Sequence, residues 1–316
     1  MGYIIGFLAA ILFGANGSVV KVLVNSGVTA AQLTFFRTFT VLVLTGLVLL
    51  VSDRSSFRLG WKQLAWMAVL GIGGVAGLQY FYAVAVSRIS VGIALLFEYL
   101  AVLAVAVIAR VFFKEQVRPR LWVAIGFVLV GLAVVAEVWD SQVELWGMIA
   151  ALLAAAAYTI YFLVGEKALS TMKVMGMTFW AMFFASAFWG IFSGWWEINP
   201  QIFVKEISMT GALEDLIVPL WMPLLWALIM GSFLSFVLSF VALKHLKATP
   251  AGIVASSEVI FAFIVAWIWL GEALSLIQIL GALIVIAGIA LAQTARPGKV
   301  IDLDLATPEH SGVSAK

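Results

Sequence analysis

Three charged side chains lie deep inside otherwise apolar stretches of the sequence: Arg37, Glu98 and Glu258. A charge at the centre of a lipid bilayer costs about 2.5–3.5 kcal/mol on insertion scales, so it is normally paired, protonated or directed into a wet cavity. Arg37 and Glu98 each lie about eight residues into a predicted helix entered from the same side, or about 12 Å deep at 1.5 Å per residue. This equal depth allows a buried structural salt bridge, and it equally allows Arg37 to hold a substrate carboxylate in a bidentate contact.

Glu258 differs from Glu98 because no basic residue lies deep within the second half of the sequence. Desolvation favours the neutral form of such a carboxyl, and a carboxyl that gains and loses a proton is what a proton-coupled antiporter requires. Two interpretations follow. Glu258 carries or gates a coupling proton while Arg37 and Glu98 orient the substrate, or it is a protonated structural group bonded to neighbours such as Ser256 or Ser257.

Uncharged polar side chains in the neighbouring apolar stretches complete a candidate binding site. In lipid such groups either join helices by hydrogen bonds or line a wet cavity. Serines at 232, 235 and 239 recur at spacings of three and four, which places their hydroxyls on one face of a helix. The predicted substrate-binding or coupling residues are Arg37, Glu98, Glu258, Asn16, Gln79, Tyr80, Tyr82, Tyr158, Ser235, Ser239 and Ser257.

The composition indicates what surrounds these groups. Of the 316 residues, 64% are hydrophobic and only 11% are charged, and the mean hydropathy is +1.14. Soluble domains carry about 25% charged residues. The sequence therefore predicts an all-α integral membrane protein, most of whose surface faces lipid.

Several functional classes are excluded by residues that the sequence lacks. It has no cysteine, which excludes thiol nucleophiles and thiolate metal sites, and its only histidines are His245 and His310. No metalloprotease, serine-hydrolase or phosphate-binding-loop pattern occurs. We therefore predict neither an enzyme nor an ATP-driven pump, with no cofactor, no metal and, given the scattered basic residues, no nucleic-acid partner.

Ten stretches are apolar over about 20 residues, the length that crosses a bilayer as a helix. The longest connection, 197–218, contains apolar residues and is predicted to hold a short interfacial helix. Neither a basic segment nor a small-residue cleavage site marks a signal peptide, so the first stretch is expected to stay. The predicted spans are 3–23, 29–51, 62–86, 90–113, 119–137, 145–168, 174–196, 219–243, 249–270 and 275–294.

The distribution of Lys and Arg predicts the orientation in the membrane. With the N-terminus in the cytoplasm, fourteen of the 18 basic residues fall on inner loops or the tail. Three fall outside (Lys21, Arg88 and Lys205), and Arg37 lies within a span. Both termini are therefore predicted to be cytoplasmic in a multi-pass protein of a prokaryotic cell membrane. Lys21 is expected to extend from the first helix toward the outer surface.

Two segments of the sequence resemble each other and indicate an internal duplication. Gly92 corresponds to Gly252 and Glu98 to Glu258, both at a separation of 160 residues. In each copy the glycine precedes the buried acid in the same order. This shared order is more than two apolar helices would be expected to show by chance.

The duplication divides the chain into two five-helix repeats, 1–138 and 139–296, and a polar tail, 297–316, expected to be disordered in the cytoplasm. In each repeat the next apolar run ends in a second glutamate, Glu115 or Glu272, expected to be solvated or paired with nearby bases. Because five is odd, the second repeat must enter the membrane from the opposite side. Ten transmembrane helices in two inverted repeats are typical of secondary transporters, whose binding site lies between the repeats.

With these motifs the sequence resembles the drug/metabolite transporter superfamily, specifically its EamA family, over nearly the whole chain. The resemblance rests on the run Gly92-Ile-Ala-Leu-Leu-Phe-Glu98, on Trp269-Leu-Gly-Glu272, and on Arg37 in the second helix. The first of these runs is most similar to threonine/homoserine exporters. Where the family often has proline after the acid of the ninth helix, this sequence has Val259, so an unwound backbone is not predicted there.

The resemblance implies export of amino acids or related metabolites from the cytoplasm. The inverted repeats add alternating access, and the buried acids add proton antiport. Three alternatives remain open: an exporter of aromatic or lipophilic metabolites, a facilitative carrier, and a channel. The expected partners are a small-molecule substrate, protons and membrane lipid. A monomer can hold both repeats, so the oligomeric state is not predicted.

Overall fold

The structure is a computed structural model, which describes residues 2–112, 119–135, 144–245 and 248–295. The predictions for Glu115 and for the tail 297–316 fall outside these residues. The described helices are α1 (Gly2–Asn25), α2 (Ala30–Ser52), α3 (Trp61–Ala68), α4 (Gly77–Val86), α5 (Val91–Glu98), α6 (Leu100–Phe112), α7 (Arg120–Val135), α8 (Leu145–Leu169), α9 (Val174–Phe192), α10 (Trp221–Leu228), α11 (Ser235–His245), α12 (Ala248–Val265) and α13 (Leu276–Ala295).

Helical segments occupy each of the apolar stretches that the sequence predicts. Among the residues that the structure describes, six helices are long and apolar enough to cross a membrane: α1, α2, Trp61–Val86, α8, α9 and Trp221–Ser239. The remaining apolar helices, within 91–105, 122–135, 254–270 and 276–291, are shorter. Large apolar side chains are exposed along their outer faces, as on α13, where Leu276 and Leu283 are largely uncovered. Such faces are typical of helices that contact lipid.

The short helix predicted in the connection after α9 is no more than a five-residue 3-10 segment, Pro200–Val204. The connection consists of short 3-10 turns and an antiparallel hairpin of β1 (Glu206–Ser208) and β2 (Ile217–Pro219). Gly194 and Gly211 have φ values of 63° and 56°. Residues in this left-handed region interrupt a right-handed helix, which explains why the apolar residues of the connection do not form one.

Within the described ranges, π-helical segments occur at Val69–Ala76, Ile229–Leu234 and Ala266–Leu270. The first two begin 160 residues apart, the same separation that relates Glu98 to Glu258. π-Helical turns are rare and occur frequently at functional sites. The internal duplication therefore extends to a local backbone distortion in the third and eighth predicted spans.

Corresponding helices of the two halves pack against each other: α2 contacts α9, and α7 contacts α13. The contact between α7 and α13 is made through glycines. A Cβ atom at Gly131 would lie 2.7 Å from the Val285 side chain and 2.8 Å from the Gly281 carbonyl oxygen. Small residues of this kind let helix backbones approach closely in membranes.

Replacement of Gly131 by alanine is expected to lower the stability of the protein. The added methyl group has no space against α13, and overpacking of this kind costs about 1–3 kcal/mol. Gly126, on the same helix, has no neighbouring atom within 4 Å of the position that an added methyl group would occupy, so Gly126→Ala is the matched control. Thermal unfolding of the purified full chain in detergent measures both. Equal melting temperatures for the two variants would contradict the glycine-mediated contact.

Candidate functional site

The carboxyl of Glu98 ends the short helix α5 inside the protein. Ser90 caps the start of α5, where its hydroxyl accepts a hydrogen bond from the Ile93 amide at 3.4 Å. Nearly every residue from Val91 onward is buried, and Glu98 itself is only 7% exposed. Its Oε2 atom has no hydrogen-bond partner within the described part of the chain. Helix α5 therefore places a carboxyl group inside the protein with one oxygen atom that lacks a hydrogen-bond partner among the described residues.

Arg37 lies about two turns into α2, which begins at a capping box formed by Thr29 and Gln32. The guanidinium is 5% exposed, and its Nε atom donates a hydrogen bond to the Ser232 hydroxyl at 2.8 Å. Ser232 in turn donates to the Ala227 carbonyl at 2.8 Å within the distorted eighth span. Arg37 therefore connects the second helix of one half to the π-helical segment of the other.

Arg37 and Glu98 do not form the direct salt bridge that their equal depth allowed. Ion pairs within 4.0 Å among the described residues are Lys21–Glu272, Arg88–Glu144 and Lys173–Asp53. Arg37 still interacts electrostatically with Glu98 and with the buried Tyr82. The guanidinium and the carboxyl are thus close enough to interact electrostatically, but they are not a direct ion pair.

Glu258 belongs to the second half of the chain and contacts a residue of the first half. The Tyr99 hydroxyl lies 3.0 Å from Glu258 Oε2, to which it donates, and 2.9 Å from the Ala255 carbonyl oxygen. Tyr99 directly follows Glu98, and the two carboxyls interact electrostatically. The residue that follows Glu98 is thus hydrogen-bonded to the corresponding acid of the other repeat, Glu258, which is partly buried.

Aromatic rings extend the site on one side of Tyr99. The Tyr158 ring packs edge-on against Tyr99 with centroids 6.1 Å apart, and it stacks on Phe162 at 4.4 Å. Tyr161 lies 5.7 Å from Tyr158. These rings belong to α8 and form a wall beside the hydrogen bond between Tyr99 and Glu258.

Three further predicted residues, Asn16, Gln79 and Tyr82, are buried. Both amide atoms of Gln79 and the Oδ1 atom of Asn16 have no hydrogen-bond partner among the described residues. Asn16 packs on the backbone of Gly231, and the Tyr82 hydroxyl packs against Gly17. Buried polar groups are normally hydrogen-bonded, and exceptions are explained by water, an ion or a ligand.

Other predicted residues make contacts elsewhere. Tyr80 packs against Trp189, with ring centroids 4.6 Å apart. The hydroxyls of Ser235 and Ser257 donate to the Met230 and Val254 carbonyls of their own helices. The side chain of Ser239 is partly buried on α11. The structure assigns these residues packing or intrahelical contacts, and it does not bring Tyr80 to the two acids.

Sequence reasoning missed Tyr99 and the partner of Lys21. Tyr99 carried one available signal, its position directly after Glu98, but nothing in the sequence pointed to Glu258 as its partner. The Nζ atom of Lys21 lies 2.6 Å from Glu272 Oε1 in a partly buried ion pair, so Glu272 is paired with a base, one of the two states expected for it. Among the residues described, no group of three or more His, Cys, Asp or Glu is arranged to hold a metal ion.

Comparison with known proteins identifies the class of molecule. The sequence model of the EamA-like transporter family matches residues 1–136 and again residues 145–294. The uncharacterized transporter YdfC of Bacillus subtilis (strain 168) is 26% identical over 272 residues, which are 83% of this chain and 81% of that protein. An uncharacterized transporter of Archaeoglobus fulgidus is 28% identical over 129 residues, 41% of this chain and 46% of that protein.

A solved crystal structure of a protein shares the fold. It superposes with a TM-score of 0.60 at 19% identity, and the match covers 93% of this chain and 98% of that one. At this level of identity the likeness concerns the fold alone. Together with the apolar helices, the family match makes the chain a multi-pass membrane protein.

Removal of the Ser232 hydroxyl is expected to destabilise the protein. Ser232→Ala leaves the Arg37 Nε donor buried without its acceptor, and an unsatisfied buried donor costs about 1–3 kcal/mol. The matched control is Ser239→Ala, two helical turns further along the same span. The melting temperature in detergent should fall for the first variant and stay near the parent value for the second. A loss of the same size in both would show that the Arg37–Ser232 bond has no special importance.

Proposed function

The chain belongs to the EamA-like transporter family, and we propose that it is a secondary active transporter that exports small metabolites, foremost amino acids or related compounds. In this proposal ten transmembrane helices form two inverted repeats, 1–138 and 139–296, and both termini lie in the cytoplasm. The pathway runs between the repeats and opens to the two sides in alternation. One copy of the chain contains all the residues that the proposal uses.

The observation that carries the proposal is the hydrogen bond between Glu258 and Tyr99, the residue that follows Glu98. Each acid comes from the corresponding position of its own half, and neither has a basic group in a direct ion pair among the described residues. Inverted-repeat transporters place substrate and coupling-ion sites at such an interface between halves. An intramembrane acid in this position is by default a functional group.

The polar groups around Glu98 suit a substrate that carries both charges. The carboxylate of an amino acid would contact the terminal nitrogens of Arg37, whose Nε atom is held by Ser232. Its ammonium group would contact Glu98, which has an unused oxygen atom. The unsatisfied amides of Asn16 and Gln79 would supply further hydrogen bonds. Because Arg37 and Glu98 are not a direct ion pair, such a zwitterion would bind between them.

The Tyr99 hydroxyl suggests how a proton is coupled to transport. This hydroxyl has a single proton but faces two acceptors, Glu258 Oε2 and the Ala255 carbonyl. When Glu258 is ionised, it competes with Ala255 for that proton. When Glu258 is protonated, it can donate to the Tyr99 oxygen while Tyr99 donates to Ala255, so both bonds are made. Uptake of one proton thus reorganises the contact between the halves.

A second candidate substrate class is favoured by the ring wall on α8. Tyr158 and Phe162 stack beside Tyr99, and an aromatic side chain or a lipophilic metabolite would extend this stack. Offset and edge-on aromatic pairs contribute about 0.5–1.5 kcal/mol each beyond the area they bury. The substrate panel for any transport assay should therefore include aromatic and aliphatic amino acids as well as neutral aromatic compounds.

Glu258→Gln is expected to abolish transport driven by a proton gradient in proteoliposomes. Glutamine preserves the size and an acceptor for Tyr99 but cannot exchange a proton, so gradient-driven accumulation should fall to the level of protein-free liposomes. Counterflow of labelled substrate, which needs no net proton movement, should remain. Glu214→Gln, on the exposed connection after α9, serves as the control and should resemble the parent protein.

Two results would decide against this proposal. Gradient-driven accumulation that is unchanged in Glu258→Gln would remove Glu258 from the coupling role. Flux through the parent protein that neither saturates nor shows trans-stimulation would indicate a channel instead of a carrier. Glu98→Gln separates the two acids, because we expect it to weaken counterflow and gradient-driven transport alike.

A further inference from the structure

A compact network of charged and backbone groups joins three elements at one end of the helix bundle. Lys21 of α1 donates from Nζ to Glu272 Oε1 at 2.6 Å and to the Ile89 carbonyl at 3.0 Å. The other carboxylate oxygen of Glu272 accepts a hydrogen bond from the Val91 amide at 2.9 Å. Both charged side chains are mostly covered, with 21% and 15% of their side-chain surface exposed.

This network differs from an ordinary surface ion pair. Both oxygens of Glu272 are engaged, and the bond to Val91 places its negative charge at the N-terminus of α5, where the helix dipole is favourable. Charge-assisted hydrogen bonds are roughly twice as strong as neutral ones. By comparison, Arg88–Glu144 is 48% and 37% exposed, and exposed pairs contribute about 0–1 kcal/mol.

The Lys173–Asp53 pair provides a useful contrast at the ends of α9 and α2. Hydrogen bonds from Lys173, Ser55 and Ser56 hold the pKa of Asp53 well below its usual range. Lys173 is nevertheless 75% exposed, so this pair is screened by solvent and contributes little. Of the ion pairs among the described residues, the one between Lys21 and Glu272 is the most covered.

Neighbouring contacts close the same end of the bundle. The indole of Trp269, at the end of the span that carries Glu258, donates to the Met209 carbonyl beside β1 at 2.9 Å. Gly211 packs against the backbone of Trp269 and Leu270. The hairpin of β1 and β2 therefore covers the segment that leads to Glu272.

The helices are also tightly packed directly below the network. A Cβ atom at Gly17, one turn before Lys21, would meet both the Tyr82 hydroxyl and the Val91 side chain. Ser18 is fully buried. Solvent could reach Glu98 from this end only if α1 separated from α5, and that separation would stretch the contacts of Lys21.

We propose that Lys21, Glu272 and the backbone of Ile89 and Val91 form the gate that closes this end of the transport pathway. The proposal rests on the alternating access argued above and adds the groups that control one side of it. Val91 and Glu98 are the two ends of α5, about 10 Å apart along its axis at 1.5 Å per residue. Glu272 follows the helix that carries Glu258. The gate therefore connects both acid-bearing helices, and movement of either one strains it.

The absence of cysteine from the natural sequence allows a direct test. Ser18→Cys places one small reporter thiol just below the gate in the full chain. In sealed proteoliposomes a membrane-impermeant thiol reagent should label it slowly from either side. Adding Glu272→Gln or Lys21→Met should raise the rate by about ten-fold or more from one side only, because loss of the charge pair shifts the population toward the open form. Glu144→Gln removes the exposed pair at Arg88 and should leave the rate unchanged.

The outcomes distinguish the gate from the transport function. Labelling rates that stay within two-fold of the parent in both gate variants, or that rise equally in Glu144→Gln, would overturn the gate. Rapid labelling of Ser18→Cys with Lys21 and Glu272 intact would also overturn it. Two variants are used so that a folding defect in one, detected by gel filtration, leaves the other to decide. Absence of counterflow in the parent protein would contradict the proposed transport function, whereas the labelling rates would still report on closure.

Discussion

The cost of leaving a polar group unsatisfied in an apolar interior explains much of this structure. That cost is several kcal/mol when no partner or water is available. Three hydrogen bonds of buried or partly buried side chains cross between the two halves of the chain: Tyr99 with Glu258, Arg37 with Ser232, and Lys21 with Glu272. These side chains therefore depend on the other half for a partner. The halves are held in register by hydrogen bonds at a few points and by apolar packing elsewhere.

The packing between the halves is not uniform. Where α7 meets α13, glycines bring the backbones into direct contact, and a single methyl group has no space. Close-packed interiors of this kind have low compressibility and transmit strain. Elsewhere in the described part of the chain, Gln79, Asn16 and Glu98 keep polar atoms without hydrogen-bond partners.

The sequence predicted the helical stretches well, because long apolar runs bounded by turn residues have few other structures available in lipid. It also placed Glu98 and Glu258 correctly on their helices, since the duplication relates them directly. It did not predict that Tyr99 bonds to Glu258 or that Lys21 bonds to Glu272. These partners are 159 and 251 residues apart, and their meeting depends on how helices from different halves are rotated and stacked. In the connection after α9 the sequence predicted a short helix, and the structure has a five-residue 3-10 segment, Pro200–Val204, followed by a hairpin.

The two halves have corresponding helices, but the side chains beside their two acids differ. The first half supplies the guanidinium of Arg37, the carboxyl of Glu98 and the hydroxyl of Tyr99. The second half supplies Glu258, and the position that follows it is Val259 where the first half has Tyr99. A symmetric pair of acids would bind protons and substrate interchangeably. Among the described residues Glu258 accepts a hydrogen bond from Tyr99, whereas Glu98 interacts with Arg37, and this difference is why the proposed function gives the two acids different roles. Duplication supplied two similar helices, and the residues beside each acid made them different.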